Sequence, residues 1–210
     1  ADAFTLALNA GEIEAIGDGA MGIYSTKDLT SSKTIKVGGK KSVGYYAKEN
    51  LTLLAGANLT VNDSTRENDD RTIGIFAKKN VNLQSDLTIG KNSIGILKKE
   101  SLTTDNIDLS ANSKIDIKNG GIGVYGEKSN FTINTLTKLN IGDDKAIGIY
   151  AKKGSVVNNN STNITIGESS FGFVTEDSTY NGGNETISLN KDSSVFLYAK
   201  NSTVSNVGRI

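Results

Sequence analysis

The 210-residue chain contains no cysteine, proline, histidine or tryptophan, and only 6% of its residues are aromatic. Without cysteine, neither a disulfide framework nor a thiolate metal site can form. Without histidine as well, the chain can build neither a Ser-His-Asp nor a Cys-His catalytic centre, and imidazole metal ligands are excluded. These absences remove several common classes of enzyme.

The sequence also lacks an excess of either charge, because 23 Lys and Arg residues balance 23 Asp and Glu residues. A basic surface for nucleic acid or for an anionic membrane is therefore not expected. No apolar run is long enough to span a bilayer, and the first residues have neither the basic segment nor the apolar core of a signal peptide. We expect no nucleic-acid partner and no direct membrane insertion.

A four-residue phrase, apolar-Gly-apolar-aromatic, recurs along the whole chain. Its glycines follow one another at intervals of 21 to 30 residues, and Phe196 replaces the glycine in the last copy. Self-similarity at this period indicates a solenoid, a propeller or an array. The copies, some of them degenerate, occupy residues 21–24, 43–46, 73–76, 94–97, 122–125, 147–150, 171–174 and 195–198.

Each copy is followed by a polar turn and by two further short alternations of apolar and polar residues, such as 81–83 and 87–89. Strict alternation bounded by Gly, Asn, Ser and Asp is the signal of a β-strand. Three strands per coil of roughly 25 residues predict an all-β fold, a right-handed three-sided parallel β-helix of about eight coils. An antiparallel sandwich is the alternative, but it would need hairpin turns that the strands here do not share.

The repeats begin and end within the pattern, and no polar terminal cap is evident. We therefore expect residues 1–210 to form a single β-helical fragment that is open at both ends and belongs to a longer protein.

The first strand of each coil carries the aromatic residue of the phrase. A period of two predicts that Ile73, Ile75 and Ala77 face the interior, while Gly74 and Phe76 face outward. The outer face would then carry a glycine column beside an aromatic ladder. The rings could stabilise the sheet by cross-strand packing, bind a partner's apolar groups or sugar rings, or lie beneath another segment. The candidate partner-binding residues on this ladder are Tyr24, Tyr46, Phe76, Tyr125, Tyr150 and Tyr198.

The longest interval between glycines contains a wholly polar insertion at residues 63–71. Insertions in solenoids map to loops, often on the binding face, although a solvated loop is the simpler interpretation. The candidate contact residues in this loop are Arg66, Glu67, Asp69, Asp70 and Arg71. A second, weaker insertion is expected around residues 104–112.

Paired carboxylates leave one route to catalysis, because glycoside hydrolysis needs only two carboxyl groups at the right separation. Asp143 and Asp144 are the best candidates for an acid-base or Ca²⁺ role, but they fall in a predicted turn. The nonapeptide that binds Ca²⁺ in other β-helices is absent. We therefore predict no enzymatic activity, no catalytic residue, no metal site and no cofactor.

The phrases IGIYAKK at 147–153 and SVGYYAKEN at 42–50, with LTIG at 87–90, resemble the passenger repeats of large Gram-negative autotransporter adhesins, especially the fusobacterial type. The resemblance covers residues 13–199 and implies display at the bacterial surface, through a C-terminal translocator barrel in the outer membrane that lies outside this chain. It also implies attachment to host cells or other bacteria, and hence a role in virulence, through protein or glycan binding, or a stalk that displays such a site. The absence of cysteine agrees with export as an extended chain.

A β-helical polysaccharide-active enzyme, such as a lyase, a hydrolase or a phage-type depolymerase, is the alternative function. The adhesin family offers no catalytic motif to carry over, so no site residue is assigned from the resemblance.

Overall fold

The computed structural model is a three-sided parallel β-helix, which confirms the predicted fold class. It describes residues 4–5, 11–65, 70–99, 104–110, 112–183, 185 and 187–207, and these residues contain no helix. Consequently, no helix in the described part of the chain could cross a membrane.

The strands form three parallel sheets, one for each side of the coil. Sheet 1 contains the strands of the repeated phrase: β3 (Met21–Ser25), β6 (Val43–Ala47), β9 (Ile73–Ala77), β12 (Ile94–Lys98), β15 (Ile122–Glu127), β18 (Ile147–Lys152), β21 (Phe171–Glu176) and β23 (Val195–Lys200). Sheet 2 contains β1 (Phe4–Thr5), β4 (Leu29–Ser31), β7 (Leu51–Leu53), β10 (Val81–Leu83), β13 (Asp105–Leu109), β16 (Ser129–Ile133), β19 (Val156–Asn159), β22 (Thr179–Asn181) and β24 (Thr203–Ser205). Sheet 3 contains β2 (Glu12–Ile16), β5 (Thr34–Gly38), β8 (Leu59–Val61), β11 (Leu87–Ile89), β14 (Lys114–Ile117), β17 (Lys138–Ile141) and β20 (Asn163–Ile166).

Every strand pairs with its counterpart one coil away, so equivalent residues form columns along the solenoid. Ile75 pairs with Ile96, for example, and Ile96 pairs with Val124. The spacing between paired strands is about 4.8 Å. This stacking excludes the antiparallel sandwich.

The interior of the coil is filled by apolar side chains from all three sheets. In one coil Ile75, Leu83 and Ile89 are each 0% exposed, and neighbouring coils repeat this arrangement. Burial of one such side chain contributes about 1.5–3 kcal/mol. The stack of aliphatic layers therefore supplies most of the stability of the solenoid.

The glycines of the repeated phrase face the interior, which corrects the predicted outer glycine column. A Cβ atom added to Gly148 would lie 2.5 Å from the carbonyl oxygen of Gly172 and 2.7 Å from Cδ1 of Ile141. Between these strands, Ile147 pairs with Phe171 and Ile149 pairs with Phe173, but Gly148 and Gly172 are not part of the pairing register. Glycine and the residue after it therefore both point inward at this corner, and the residue before glycine is displaced to the outer face.

Phe196 occupies the glycine position of the last coil and shows the same inward direction. Its side chain is 2% exposed, and its ring centroid lies 5.3 Å from that of Phe173 and 6.1 Å from that of Tyr180. Because β23 is the last described strand of sheet 1, no described coil beyond it places a carbonyl oxygen against the Cβ atom of Phe196. A large side chain is therefore accommodated here and fills the interior.

Hydroxyl groups satisfy backbone carbonyls where the chain turns between sheets. At the corner before sheet 1, Ser42 Oγ donates to Gly17 O at 2.6 Å and Ser93 Oγ donates to Asn62 O at 2.6 Å. On the outer side of another corner, Asn50 Nδ2 donates to Asp28 Oδ1 at 2.9 Å, and Asn80 Nδ2 donates to Asn50 Oδ1 at 2.8 Å. The serine hydroxyls give partly buried carbonyls the partners that they require, and the exposed asparagine bonds link equivalent positions of successive coils.

Two other details differ from the sequence prediction. The second insertion lies earlier than expected, because Ile107 and Leu109 belong to β13 and pair with Val81 and Leu83. The residues that make this coil longer than the preceding one therefore lie between Lys98 and Ile107. Residues 187–190 have the same apolar-polar alternation as the strands of sheet 3, which predicts a strand there, but they form none, and the ladder of sheet 3 ends at β20.

A buried ion pair lies where the chain passes from sheet 1 to sheet 2. Lys98 is 0% exposed, and its Nζ lies 2.8 Å from Oδ2 of Asp105 and donates to Lys78 O at 3.0 Å. Equivalent positions in neighbouring coils hold Ala77 and Gly126. A buried charge is tolerated only with a partner, so the two residues depend on each other.

We expect Gly148→Ala to destabilise the fold by about 1–3 kcal/mol, because the new methyl group would overlap the carbonyl oxygen of the next coil. The measurement is urea unfolding followed by circular dichroism. Gly11→Ala is the control, since no atom lies within 4 Å of its added Cβ. Equal midpoints for wild type and Gly148→Ala would contradict the inward orientation of the glycines.

We expect Asp105→Ala to cost about 3–5 kcal/mol, because it leaves the Lys98 charge buried without its carboxylate. Adding Lys98→Ala should recover much of this loss, since alanine occupies the equivalent position in other coils. The free energies come from the same unfolding measurements. Glu14→Ala, which breaks the exposed pair with Lys36, should change stability by less than about 1 kcal/mol. A double variant as unstable as Asp105→Ala alone would refute this account.

Candidate binding surface on the outer face of sheet 1

The outer face of sheet 1 carries two apolar columns side by side. The first column holds the residue before each glycine: Met21, Val43, Ile73, Ile94, Ile122, Ile147, Phe171 and Val195. The aromatic column holds the fourth residue of each phrase: Tyr24, Tyr46, Phe76, Leu97, Tyr125, Tyr150, Val174 and Tyr198. Most members are half-buried, and the most exposed are Tyr24 at 49%, Tyr198 at 47% and Met21 at 46%.

The predicted aromatic ladder is confirmed in the aromatic column. The ring centroids of Tyr24 and Tyr46 are 5.1 Å apart, and those of Tyr46 and Phe76 are also 5.1 Å apart and nearly parallel, at 8°. Tyr125 and Tyr150 contact edge to face at 5.3 Å. Such contacts contribute to the stability of the sheet in addition to any binding role.

A charged column lies beside the aromatic column. It holds the sixth residue counted from the start of each phrase: Thr26, Lys48, Lys78, Lys99, Glu127, Lys152, Glu176 and Lys200. The Nζ atom of Lys48 lies 5.8 Å from the centroid of the Tyr24 ring, and that of Lys152 lies 5.2 Å from the centroid of Tyr150. The face therefore combines an apolar strip with a border of hydrogen-bonding charges.

Two tyrosines of the ladder are tied to glutamates of the charged column. Tyr125 donates to Glu127 Oε1 at 2.6 Å, and Tyr150 donates to Glu176 Oε1 at 2.8 Å. Burial raises the pKa of both phenols, and the adjacent carboxylates raise it further. The pKa of Glu176 is lowered, first because Lys152 donates to it and then because Tyr150 does.

The aromatic column is interrupted at Leu97, and a groove of about 650 Å³ opens there. Leu97 is only 7% exposed, so its side chain lies low between Phe76 and Tyr125. The apolar lining is completed by Ile73, Ile94, Ile122 and Tyr150. The charged residues of the lining are Arg71, Lys99, Glu127 and Lys153.

The predicted contact loop is only partly described. Arg66, Glu67 and Asp69 lie outside the described residues. Asp70 forms an ion pair with Lys41 at 3.0 Å, and Arg71 lines the groove. Of the loop candidates that the structure describes, only Arg71 is therefore brought together with the aromatic column.

The candidate carboxylates have structural partners. Asp143 Oδ1 accepts the backbone N–H of Glu168 at 2.7 Å and so links one turn to the next. Asp144 adopts a left-handed backbone conformation, with φ of 57°, and its N–H donates to Glu168 O. Among the described residues, no three carboxylates are close enough to hold a metal ion.

Sequence reasoning missed the first column and the groove. A regular pleat placed Ile73 and its equivalents inside, so an aliphatic column beside the aromatic residues was not expected. The signals present in the sequence were Leu97, which breaks the aromatic pattern, and the charge that follows each phrase two residues after the ring, as in Lys99 and Glu127.

Comparison with protein-family models gave no match, and comparisons with curated proteins and with solved structures gave no significant match.

We expect Glu127→Gln to lower the pKa of Tyr125 while leaving it above the usual phenol value, because burial, the largest cause of the shift, remains. The measurement is alkaline titration of tyrosinate absorbance, with Tyr125→Phe to identify the signal. No change in the titration of Tyr125 would contradict the hydrogen bond to Glu127.

The same shifts predict the response of stability to alkali. The pKa values of Tyr125 and Tyr150 are raised in the folded state. Their contribution to the free energy of unfolding is therefore complete below the unfolded-state pKa of about 10, and it is lost as pH rises towards the folded-state pKa. Urea midpoints measured across that window should therefore fall with rising pH.

Proposed function

We propose that this chain is a passenger segment of a bacterial surface adhesin, and that it attaches to host cells or to other bacteria through the outer face of sheet 1. The observation that carries the proposal is the apolar strip formed by the first and aromatic columns. Eight paired strands at about 4.8 Å make this strip roughly 34 Å long. An extended, partly exposed apolar strip bordered by polar residues is typical of interaction sites.

Two further features support attachment as the role of this strip. Every described strand belongs to one of the three sheets, so no described strand lies over the outer face of sheet 1. Repeat proteins commonly bind through extended surfaces built from equivalent positions of successive repeats. The resemblance to autotransporter passenger repeats adds the expected location, which is the outside of the cell.

The carboxylates give less support to a polysaccharide-cleaving enzyme. Asp143 holds a backbone N–H, and Glu127 and Glu176 each accept a tyrosine hydroxyl. A general acid needs a raised pKa, whereas the pKa of Glu176 is lowered. No second function is therefore proposed.

We expect the double variant Tyr46→Ser with Phe76→Ser to weaken attachment at least tenfold, because it removes two adjacent rings from the strip. The purified chain, coupled to fluorescent beads, is titrated against epithelial cells and against bacteria. The control is Thr60→Ser with Thr88→Ser, which changes sheet 3 in the same two coils. Attachment by the ring-deficient variant equal to that of wild type, or no attachment by wild type to either kind of cell, would refute the proposal.

A further inference from the structure

We infer that two copies of the chain pair through the outer faces of their sheets 1, as a two-fold symmetric dimer in which the two solenoids run in opposite directions. The inference rests on the proposed function, because it assigns a partner, a second copy of this chain, to the surface through which attachment is proposed. It follows from the order of large and small side chains along that surface, the order of its charges, and its area.

The two-fold axis of this dimer runs parallel to the strands and crosses sheet 1 between β12 and β15, at the middle of its eight strands. Rotation about this axis reverses the order of the coils and brings each column of one chain opposite the same column of the other. β12 then faces β15 of the second copy, β9 faces β18, β6 faces β21 and β3 faces β23. Each contact occurs twice, as in every two-fold interface.

In this arrangement the small residues of the aromatic column face large ones. Leu97 and Val174 are the two members of the column without a ring, and they are only 7% and 6% exposed. Leu97 faces Tyr125 of the second copy, and Val174 faces Tyr46 of the second copy. Packed sheets lie about 10 Å apart, so side chains from the two faces must interdigitate. Both interruptions of the ladder therefore receive a ring from the other chain, and one of the receiving spaces is the groove over Leu97.

The other apolar residues of the face fit the same pairing. In the first column the bulkiest residue, Phe171, faces Val43, one of the two smallest. In the aromatic column Tyr24 faces Tyr198, and these are the most exposed rings of the column, at 49% and 47%. The pairing therefore removes the most exposed apolar groups of the face from water, which is the main driving force of association.

The charged column is compatible with this pairing as well. Lys48, which is exposed, faces Glu176 of the second copy. Glu176 accepts hydrogen bonds from Lys152 at 2.9 Å and from Tyr150 at 2.8 Å within its own chain, and a carboxylate can accept further donors. Lys78 faces Lys152, whose charge is compensated by Glu176 in the same chain.

Neighbouring registers of the antiparallel pairing fit less well. Shifting the second copy by one coil in one direction places Leu97 opposite itself, so that two recessed side chains face each other across a gap. A shift in the other direction places Glu127 opposite itself, and facing like charges are costly at an interface. The order of side chains therefore favours one register.

A dimer of parallel solenoids also fits less well. Its two-fold axis would lie along the solenoid, and each column would face the column on the opposite side of the face. The first column, which is wholly apolar, would then lie against the charged column of the second copy. Such contacts remove water from charges without supplying partners.

The face is large enough for a weak but specific dimer. The first and charged columns are five residues apart along each strand, which is about 16 Å, and the strip is roughly 34 Å long. The two faces together therefore bury on the order of 1,100 Å², near the lower end of specific interfaces. Association is expected to require micromolar or higher concentrations of the chain.

The test is sedimentation velocity of the whole purified chain from low to high micromolar concentration, where we expect a reversible shift from monomer to dimer. Leu97→Tyr should weaken the association at least tenfold, because its ring occupies the space that Tyr125 of the second copy needs. Thr88→Tyr adds the same side chain to the outer face of sheet 3 and should associate as wild type does. Circular dichroism confirms that each variant is folded.

A charge variant serves if Leu97→Tyr fails to fold. Lys48→Glu, at an exposed position, places two carboxylates opposite each other and should weaken the association at least threefold. Its matched control is Lys138→Glu, an equally exposed lysine on sheet 3, which should leave the association unchanged.

A residue exchange tests the register. Val174→Tyr should weaken the association at least tenfold, because two rings then compete for one space. Adding Tyr46→Val to the same chain should restore most of the loss, since the large and small residues of this contact have changed places. Positions 46 and 174 lie five strands of sheet 1 apart within one chain, so the recovery can arise only between chains.

Several results would overturn the inference. These are a wild-type chain that remains monomeric at high micromolar concentration, unchanged association of Leu97→Tyr and Lys48→Glu, or no recovery in the double exchange. Growth into ever larger oligomers would also overturn it, because a two-fold interface closes at the dimer.

Cell binding distinguishes these failures from failure of the proposed function. If the chain is monomeric but the ring-deficient double variant still loses cell attachment, the attachment function stands and only the inferred partner is wrong. If the dimer forms but wild type attaches to neither kind of cell, the attachment function is wrong and the pairing of the two faces stands.

Discussion

The close approach of successive coils at the glycine corner is the constraint on which the structure depends. The position that a Cβ atom of Gly148 would take is occupied by the carbonyl oxygen of Gly172. Only a residue without a side chain lets the coils stack at strand spacing there. The same corner turns Ile147 and its equivalents outward, so the packing requirement of the interior creates the aliphatic half of the outer face.

The arrangement of side chains on the outer face therefore follows from the packing of the core. Each coil must present one aliphatic residue, one ring position and one polar position on sheet 1, whatever the ligand. Variation within that pattern produces local differences: Leu97 leaves a groove, and Lys99 and Glu127 place opposite charges along its border. A solenoid can acquire a site by changing two or three side chains while its backbone stays the same.

The fold could be predicted from the sequence because alternation and the repeat period are both visible in it. The orientation of the first column could not be predicted, because a period of two assumes an unbroken pleat. Gly148 also has no side chain whose polarity would show which way the position faces. The aromatic ladder was predicted, but the groove depends on how low Leu97 lies. Alternation places Lys98 at the inward position that Ala77 holds in the preceding coil, but nothing in the sequence showed that a lysine there would be buried with a partner.

The buried pair of Lys98 and Asp105 has a consequence for how the coils find one another. In an array of similar repeats, a strand can pair with the wrong neighbour at little cost, because aliphatic layers accept one another in many combinations. Charged groups in an apolar interior are less tolerant, since each needs its own partner. Lys98 and Asp105 lie in one coil, and Lys98 also donates to Lys78 O in the preceding coil, so the buried charge is fully hydrogen-bonded only when another coil is stacked on that side.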